Sequence, residues 1–225
     1  MHQSNLNSVI ILHFLSSVHI IYSSLLSKCH SKLATKKLGP LPLDSWVRDQ
    51  KLLFILSLTK TGFTSRGEAQ FDEAAKTMKV ALENGSNIWN GGQFYGPPES
   101  NSLQLLNYYF TKHPEDKDRV YISMKGAFSF HPLGPDNSPE NIRRSIDTCL
   151  KELDGKVFID SWEPARSDAK VPIETTIETI AEYVKAGKIG GIGLSEVSPS
   201  TVRRAHAVHP ISSVEVELSM FTTDP

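Results

Sequence analysis

Apolar and polar positions alternate in a regular order along most of the chain after residue 50. Short apolar runs of strand length occur at 52–58, 86–90, 119–127, 157–163, 189–195 and 212–220. Between them lie segments whose apolar residues have the spacing of one helix face, at 71–85, 102–113, 138–153, 173–187 and 198–208. The pattern therefore predicts six strands separated by five helices.

Residue types at the segment ends support these boundaries. Ser138–Pro139 and Ser198–Pro199 each place an N-cap residue before a proline at the first helical position. Gly85 and Gly187 follow the last apolar positions of their segments, where glycine commonly ends a helix. The predicted helices thus have defined starts and stops.

Alternating strands and helices are typical of parallel β-α-β units, which form an open doubly wound sheet or a (β/α)8 barrel. No G-x-G-x-x-G turn follows the first predicted strand, which weakens the open-sheet alternative. In the last strand, apolar residues alternate with polar ones: Val214, Glu215, Val216, Glu217, Leu218, Ser219. A central strand of an open sheet is apolar on both faces, so we predict an α/β protein with a (β/α)8 TIM-barrel fold.

The composition narrows the function classes. A chain of 225 residues can bury a sizeable core. Its 24 Lys and Arg nearly balance its 25 Asp and Glu, so no overall field would recruit nucleic acid or an anionic membrane. Cys29 and Cys149 have no metal-ligand spacing and are typical of a reduced protein. We expect a cytoplasmic protein with no nucleic-acid partner and no metal site.

Residues 1–50 form an atypical N-terminal segment. Within it, residues 8–26 are apolar over about one bilayer-spanning length, but they include two histidines and five serines, and no Lys or Arg precedes them. Three alternatives stay open for this stretch: a segment extraneous to the fold, a weak targeting or membrane element, or packed structure. Residues 51–225 are assigned to the barrel.

Chemical groups are expected at the C-terminal ends of the strands, where barrels of this kind carry their active sites. The residues at those positions are Asn90–Tyr95, Lys125, Glu163–Arg166, Ser195, Glu196 and Glu215–Ser219. Each has an ordinary structural alternative when taken singly. Tyr95 is compatible with a half-buried packing residue, and Lys125 is compatible with a solvated loop charge.

Taken together, these positions resemble those of the aldo-keto reductases. The stretches that carry the resemblance, in order and spacing, are ALENGSNIWNGGQFYG, VYISMKGAF, FIDSWEPARSD, VKAGKIGGIGLSEVS and SSVEVELSMFTTD. They run from about residue 70 to residue 225, and G-K-I-x-x-I-G-L-S is the most specific motif. The resemblance is greatest to the fungal pyridoxal reductase branch, which comprises NADP-using pyridoxine 4-dehydrogenases.

The resemblance implies an NADP-dependent oxidoreductase that reduces an aldehyde such as pyridoxal by hydride transfer. It assigns Tyr95 as the general acid that protonates the carbonyl oxygen. A free tyrosine has a pKa of about 10, poorly suited to acid–base work at neutral pH. The resemblance assigns Lys125 as the residue that lowers this pKa, because a nearby ammonium favours the phenolate.

Two positions depart from the family pattern. Asn90 stands where the family has an aspartate that pairs with the lysine, and Ala165 stands where it has a histidine that orients the carbonyl. We expect Asn90 to hydrogen-bond Lys125 without neutralising it, which would leave more positive potential on Tyr95. We expect Ala165 to leave room for a bulkier aromatic aldehyde. Both changes point toward the divergent pyridoxal reductase branch.

For NADP(H), the resemblance places Ser195 and Glu196 at the nicotinamide carboxamide. Glu215 aligns with a glutamine of the same role, and Leu218 falls where relatives often stack an aromatic ring on the nicotinamide. A carboxylate cannot donate to the amide oxygen as glutamine does. Carboxamide recognition is therefore expected to differ from the usual pattern.

The pattern accounts for about six of the eight strands of a (β/α)8 barrel. We therefore expect an incomplete barrel, truncated at its carboxyl end, that binds NADP(H) poorly or not at all. A different class, a non-catalytic reductase-like binding or regulatory subunit, is favoured by Asn90 and Ala165, whereas Tyr95 and Lys125 favour an enzyme. The remaining alternatives are an inactive fragment and a membrane-anchored variant based on residues 8–26.

Overall fold

The computed structural model describes residues 71–98 and 100–217, together with the backbone of residues 19–21. The helices are α1 (Phe71–Glu83), α2 (Ser102–Lys112), α3 (Pro139–Leu153), α4 (Ile173–Lys185) and α5 (Pro199–Val208). The strands are β1 (His19–Ile21), β2 (Ile88–Gly92), β3 (Tyr121–Gly126), β4 (Phe128–Phe130), β5 (Leu133–Pro135), β6 (Ser161–Pro164), β7 (Ile192–Ser195) and β8 (Ile211–Glu217). A short 3-10 turn covers Pro114–Asp116.

Six of the strands form one sheet in the order β1-β8-β7-β6-β3-β2. Neighbours from β8 to β2 run parallel and are linked by helices, whereas β1 pairs antiparallel with β8. Strands β4 and β5 form a separate hairpin. The sheet is a parallel half-barrel covered by helices, which confirms the predicted α/β fold of the barrel type.

The five predicted helices are all present, and their predicted starts are confirmed. Ser138 and Ser198 accept backbone hydrogen bonds as N-cap residues, each followed by a proline. Gly85 and Gly187 adopt positive φ angles just after α1 and α4. The predicted strand at 52–58, Leu218 and residues 1–50 other than the backbone of 19–21 lie outside the described residues.

Strands β6 and β7 begin later than the apolar pattern predicted, at Ser161 and Ile192 instead of 157 and 189. Just before them the two chain segments cross closely. A Cβ atom on Gly190 would lie 2.6 Å from the carbonyl oxygen of Asp160, so this approach requires glycine. Ile159 and Ile189 are buried in the core but precede the paired segments, which explains the longer apolar runs.

The two faces of the sheet differ sharply in polarity. The helix-facing side chains belong to the hydrophobic core and include Trp89, Ile122, Met124, Trp162, Leu194 and Val214. Alternate positions on the same strands carry buried polar groups, among them Asn90, Ser123, Lys125, Ser161, Glu163, Ser195, Ser213 and Glu215. Because side chains alternate along a strand, these polar residues share the inner face. This is the polar lining that the alternation in β8 predicted.

Within the part of the chain that the structure describes, no helix is both long enough and apolar enough to cross a membrane.

Candidate active site

Lys125 is the centre of the polar inner face. It lies near the C-terminal end of β3, and its side chain is almost completely buried. Its ammonium forms an ion pair with the Oε1 atom of Glu215, and Oε1 of Glu163 lies 3.9 Å from the same nitrogen. Three different strands thus bring one cation and two carboxyl groups together among buried side chains.

Asn90 contacts this cluster through Glu215. Its amide donates a 2.8 Å hydrogen bond to Oε2 of Glu215, and it lies 3.5 Å from Oε1 of Glu163. The expected hydrogen bond between Lys125 and Asn90 is therefore wrong: the ammonium and the Asn90 NH2 group are both donors, and both donate to the carboxylate of Glu215. Glu215 also neutralises Lys125, so the excess positive potential expected from Asn90 is wrong as well.

The contact between Asn90 and Glu215 shows how strongly the sheet curves. Asn90 is on β2 and Glu215 is on β8, with β3, β6 and β7 between them in the sheet. A flat sheet would hold these side chains far apart, since neighbouring strands are about 4.8 Å apart. Their 2.8 Å separation requires the inner face to curl around the polar cluster, as in a barrel.

Burial and the neighbouring charges set the protonation of this cluster. Burial lowers the pKa of Lys125, but the charges of Glu215, Tyr95 and Glu163 outweigh it and raise the pKa above its ordinary value. The pKa of Glu163 is raised well above the usual carboxyl range, first by burial and then by the charge of Glu215. The surroundings thus favour the charged form of Lys125 and the neutral form of Glu163.

Tyr95 lies in the loop between β2 and α2, and backbone contacts fix that loop. The Tyr95 amide donates to the carbonyl of Gly92, and its carbonyl accepts from the amide of Ser102 at the start of α2. The Ser102 hydroxyl both accepts from the Gly92 amide and donates to the Gly92 carbonyl. A Cβ on Gly92 would lie 3.0 Å from the tyrosine ring, so the ring packs directly on the glycine.

The phenol of Tyr95 is within the influence of Lys125, but its pKa moves opposite to the sequence-based expectation. Burial, the largest effect, raises the pKa of Tyr95, and the charges of Glu215 and Glu163 add to the increase. Lys125 lowers the pKa of Tyr95 by its charge and by a hydrogen bond, as expected. These effects are smaller than the increase caused by burial and the two glutamates. The prediction of a lowered tyrosine pKa was wrong because it left out the burial and the two glutamates.

Ser195 and Glu196 lie at the C-terminal end of β7. The Ser195 hydroxyl is buried and accepts a 3.2 Å hydrogen bond from the Arg166 guanidinium. Glu196 is exposed, with a left-handed backbone, and its carboxylate accepts from the Glu217 amide. Ser195 and Glu196 thus lie together at one strand end, while the Glu215 carboxylate turns toward Lys125. Their roles at a nicotinamide stay predictions.

An aromatic row leads from Tyr95 to the surface. The ring centroids of Tyr95 and Phe94 are 5.0 Å apart, those of Phe94 and Phe128 are 5.3 Å apart, and those of Phe128 and Phe130 are 5.7 Å apart. Phe130 and Leu133, on the β4–β5 hairpin, are 56% and 75% exposed. This hairpin is an apolar wall at the same end of the sheet as Tyr95.

Sequence reasoning named most of these residues but missed two partners. Glu163 and Arg166 were only among the strand-end candidates, yet Glu163 belongs to the lysine cluster and Arg166 contacts Ser195. The signal for Glu163 was a charged residue inside an apolar strand, between Trp162 and Pro164. The β4–β5 hairpin was not predicted, although Phe128 and Phe130 flank Ser129 and Leu133 follows His131–Pro132.

The structure is a half-barrel with a lysine, a tyrosine and acidic groups at its strand ends, and sequence comparison identifies its family. The sequence model of the Aldo/keto reductase family matches residues 59–225, which is most of the chain. The chain therefore belongs to the aldo/keto reductase family.

Two fungal relatives carry related names. A Schizosaccharomyces pombe protein named probable pyridoxal reductase 2 is 44% identical over 154 residues, covering 68% of this chain and 46% of that protein. A Saccharomyces cerevisiae protein provisionally named a pyridoxal reductase is 32% identical over 180 residues, covering 76% of this chain and 51% of that protein. The chain thus spans about half the length of these curated relatives.

Solved structures show the same fold at lower sequence identity. A glycerol dehydrogenase from Gluconobacter oxydans superposes with a TM-score of 0.60 at 20% identity, covering 72% of this chain and 49% of that structure. This likeness concerns the fold alone.

Proposed function

We propose that the chain carries the catalytic half-site of an NADP(H)-dependent reductase that converts an aromatic aldehyde, such as pyridoxal, to its alcohol. The observation that carries the proposal is the juxtaposition of Tyr95 with Lys125. A phenol on a glycine-supported loop, close enough to a buried ammonium for that charge to act on its pKa, is a suitable donor of a proton to a carbonyl oxygen.

In the proposed reaction, Tyr95 donates its Oη proton to the carbonyl oxygen as that oxygen gains negative charge. The Lys125 ammonium stabilises the phenolate left behind. Glu215 keeps the ammonium protonated and fixes its position through their ion pair. When bound, a reduced nicotinamide supplies the hydride for the carbonyl carbon. The raised pKa of Tyr95 means that the residue is protonated before the reaction, as a general acid must be.

The residues at the end of β7 fit the nicotinamide end of NADP(H). The Ser195 hydroxyl accepts from Arg166 and keeps its own proton to donate to a carboxamide oxygen. The exposed Glu196 carboxylate can accept from the carboxamide NH2 group. Glu215 fits this task less well, because Lys125 and Asn90 already engage its two oxygens.

Two features support an aromatic aldehyde as the substrate. The row of Phe94, Phe128 and Phe130 beside Tyr95 offers ring faces and edges for stacking, which planar aromatic molecules prefer. Ala165 is small and lies at the end of β6 beside Lys125's strand, where its amide donates to the Gly126 carbonyl. The pyridoxal reductase names of the two fungal relatives agree with a pyridine aldehyde.

Steady-state oxidation of NADPH by the 225-residue chain, with pyridoxal as the aldehyde, tests the proposal. Tyr95→Phe is expected to lower kcat by about 10²- to 10⁴-fold, the usual contribution of a general acid, without changing NADPH affinity. Tyr183→Phe is the matched control, because this buried tyrosine on α4 donates to the Arg143 carbonyl away from the site. Equal activity of wild type and Tyr95→Phe would refute the assignment.

A non-catalytic, reductase-like subunit is the second candidate, and the neutralisation of Lys125 by Glu215 is the observation that favours it. A fully paired lysine exerts less pull on a phenolate than a free one. NADPH binding by fluorescence titration without turnover of any aldehyde would support this candidate over the reductase.

A further inference from the structure

Among the described residues, Lys125 is the cation of the polar cluster, and Glu215 is its direct partner. Lys125 forms its ion pair with Oε1 of Glu215, while the nearest oxygen of Glu163 is 3.9 Å away. The other Glu215 oxygen accepts the Asn90 amide at 2.8 Å. The three side chains Lys125, Glu215 and Asn90 thus form a continuous chain of hydrogen bonds across the inner face of the half-barrel.

We propose that Glu215 is the positioning residue of Lys125, and that positions 90 and 215 form one unit in which a single negative charge can reside at either position. In this chain the charge is at 215, and Asn90 serves as its neutral hydrogen-bond donor. The link from Lys125 to proton donation by Tyr95 rests on the proposed function, whereas the charge unit itself rests on the contacts alone.

Strand register shows why position 90 can also serve Lys125. Gly92 of β2 is the direct partner of Lys125 on β3. Position 90 is two residues earlier on the same strand, so its side chain lies on the same face and diagonally next to Lys125. An acid there would approach the ammonium from β2 instead of from β8.

Exchange of the two residue types conserves the hydrogen bonds that join positions 90 and 215 to Lys125. Asn90 donates to the Glu215 carboxylate, which accepts from Lys125. With aspartate at 90 and glutamine at 215, the glutamine oxygen accepts from Lys125 and its NH2 group donates to the aspartate. The negative charge moves by one side chain, and the hydrogen bonds among these three side chains are kept. Either single change, in contrast, leaves positions 90 and 215 with two negative charges or with none.

The single changes fail for opposite reasons. Asn90→Asp places two carboxylates in contact, where like charges at 2.8 Å repel. Glu215→Gln removes the charge that compensates the buried ammonium. Glu163→Gln is the matched control, because Glu163 is the other acid of the cluster but lies 3.9 Å from the ammonium, and the substitution is the same in size and shape.

The test is a double-mutant cycle on the full 225-residue chain with two measurements. The first is the thermal unfolding midpoint of wild type, Asn90→Asp, Glu215→Gln and Asn90→Asp/Glu215→Gln at neutral pH. The second is the pKa of Tyr95, followed through the ¹³Cζ resonance of labelled tyrosine and assigned with Tyr95→Phe. Neither measurement uses substrate or cofactor, so a chain without reductase activity still reports on the charge unit.

We expect both single variants to unfold at lower temperature, and the double variant to recover most of that loss. We also expect the pKa of Tyr95 to fall in Glu215→Gln, since the charge of Glu215 raises it. In the double variant this pKa should return toward the wild-type value. In Glu163→Gln it should change less than in Glu215→Gln. Additive losses of stability in the double variant, or a Tyr95 pKa that is unchanged in Glu215→Gln, would overturn the proposal. If Glu215→Gln does not fold, the comparison of Asn90→Asp with the double variant tests the proposal. The double variant must then unfold at a temperature at least as high as that of Asn90→Asp.

Discussion

The Nζ atom of Lys125 lies 3.9 Å from Oε1 of Glu163, and both side chains are almost completely buried. Burial and the neighbouring charge of Glu215 raise the pKa of Glu163, more than Lys125 and Asn90 lower it. The surroundings of Glu163 therefore favour its neutral form, whereas Glu215 forms the close ion pair with Lys125. This division of roles leads to a prediction about stability.

Glu163→Gln should gain stability relative to wild type as the pH rises. A carboxyl whose folded pKa is raised stabilises the fold fully below its unfolded pKa of about 4.3 and loses that contribution as the pH rises toward the folded value. Glutamine keeps the neutral shape but cannot titrate. Urea unfolding of both chains at a series of pH values from about 4 to about 8 measures the difference.

Glu178→Gln on the exposed side of α4 is the control for this experiment, and its stability relative to wild type should change little over the same range. A Glu163→Gln variant whose stability difference from wild type does not grow with pH would show that Glu163 is ionised in the folded chain.

Phe128→Leu should weaken the use of aromatic aldehydes more than that of aliphatic ones. Phe128 joins the ring of Phe94 beside Tyr95 to the exposed ring of Phe130, and an aromatic pair contributes about 0.5–1.5 kcal/mol beyond its buried area. We expect kcat/KM for pyridoxal to fall by about three- to tenfold. Comparison with a short aliphatic aldehyde provides the reference, and equal losses for both substrates would argue against a stacking wall.

Gly92→Ala should reduce turnover by displacing Tyr95. The new Cβ would lie 3.0 Å from Cγ and Cδ1 of the tyrosine ring, which is closer than carbon atoms normally approach, so the ring must move. A displacement of about 1 Å from a reactive geometry can cost about a hundredfold in rate. The measurement is kcat for Gly92→Ala in the wild-type and Tyr95→Phe backgrounds. An equal loss in both backgrounds would place the effect elsewhere than on Tyr95.

The fold was largely predictable from the sequence because its signals are local. Apolar spacing, Ser-Pro starts and terminal glycines identified all five helices, and the alternation in β8 indicated a polar inner face. The late starts of β6 and β7 were not predictable, because they depend on the contact between Asp160 and Gly190. Two segments distant in sequence must meet before that contact exists.

The site was predictable as a set of residues but not as a network. Strand-end positions and family resemblance brought Asn90, Tyr95 and Lys125 together in one hypothesis. The partner of Lys125 could not be inferred, because the curvature of the sheet brings Glu215 from β8 against Asn90 on β2. The pKa of Tyr95 was misjudged for the same reason, since burial and two glutamates from distant strands act on it.

The pH dependence of carbonyl reduction by wild type and Tyr95→Phe tests the central claim most directly. A general acid must be protonated, so the wild-type rate should be constant at neutral pH and fall only at alkaline pH. Its midpoint should lie above the ordinary tyrosine pKa of about 10, because burial raises the pKa of Tyr95. Tyr95→Phe should retain only a slow rate without this alkaline step. A Tyr95→Phe variant with the wild-type rate and the same alkaline step would contradict the assignment of Tyr95 as the proton donor.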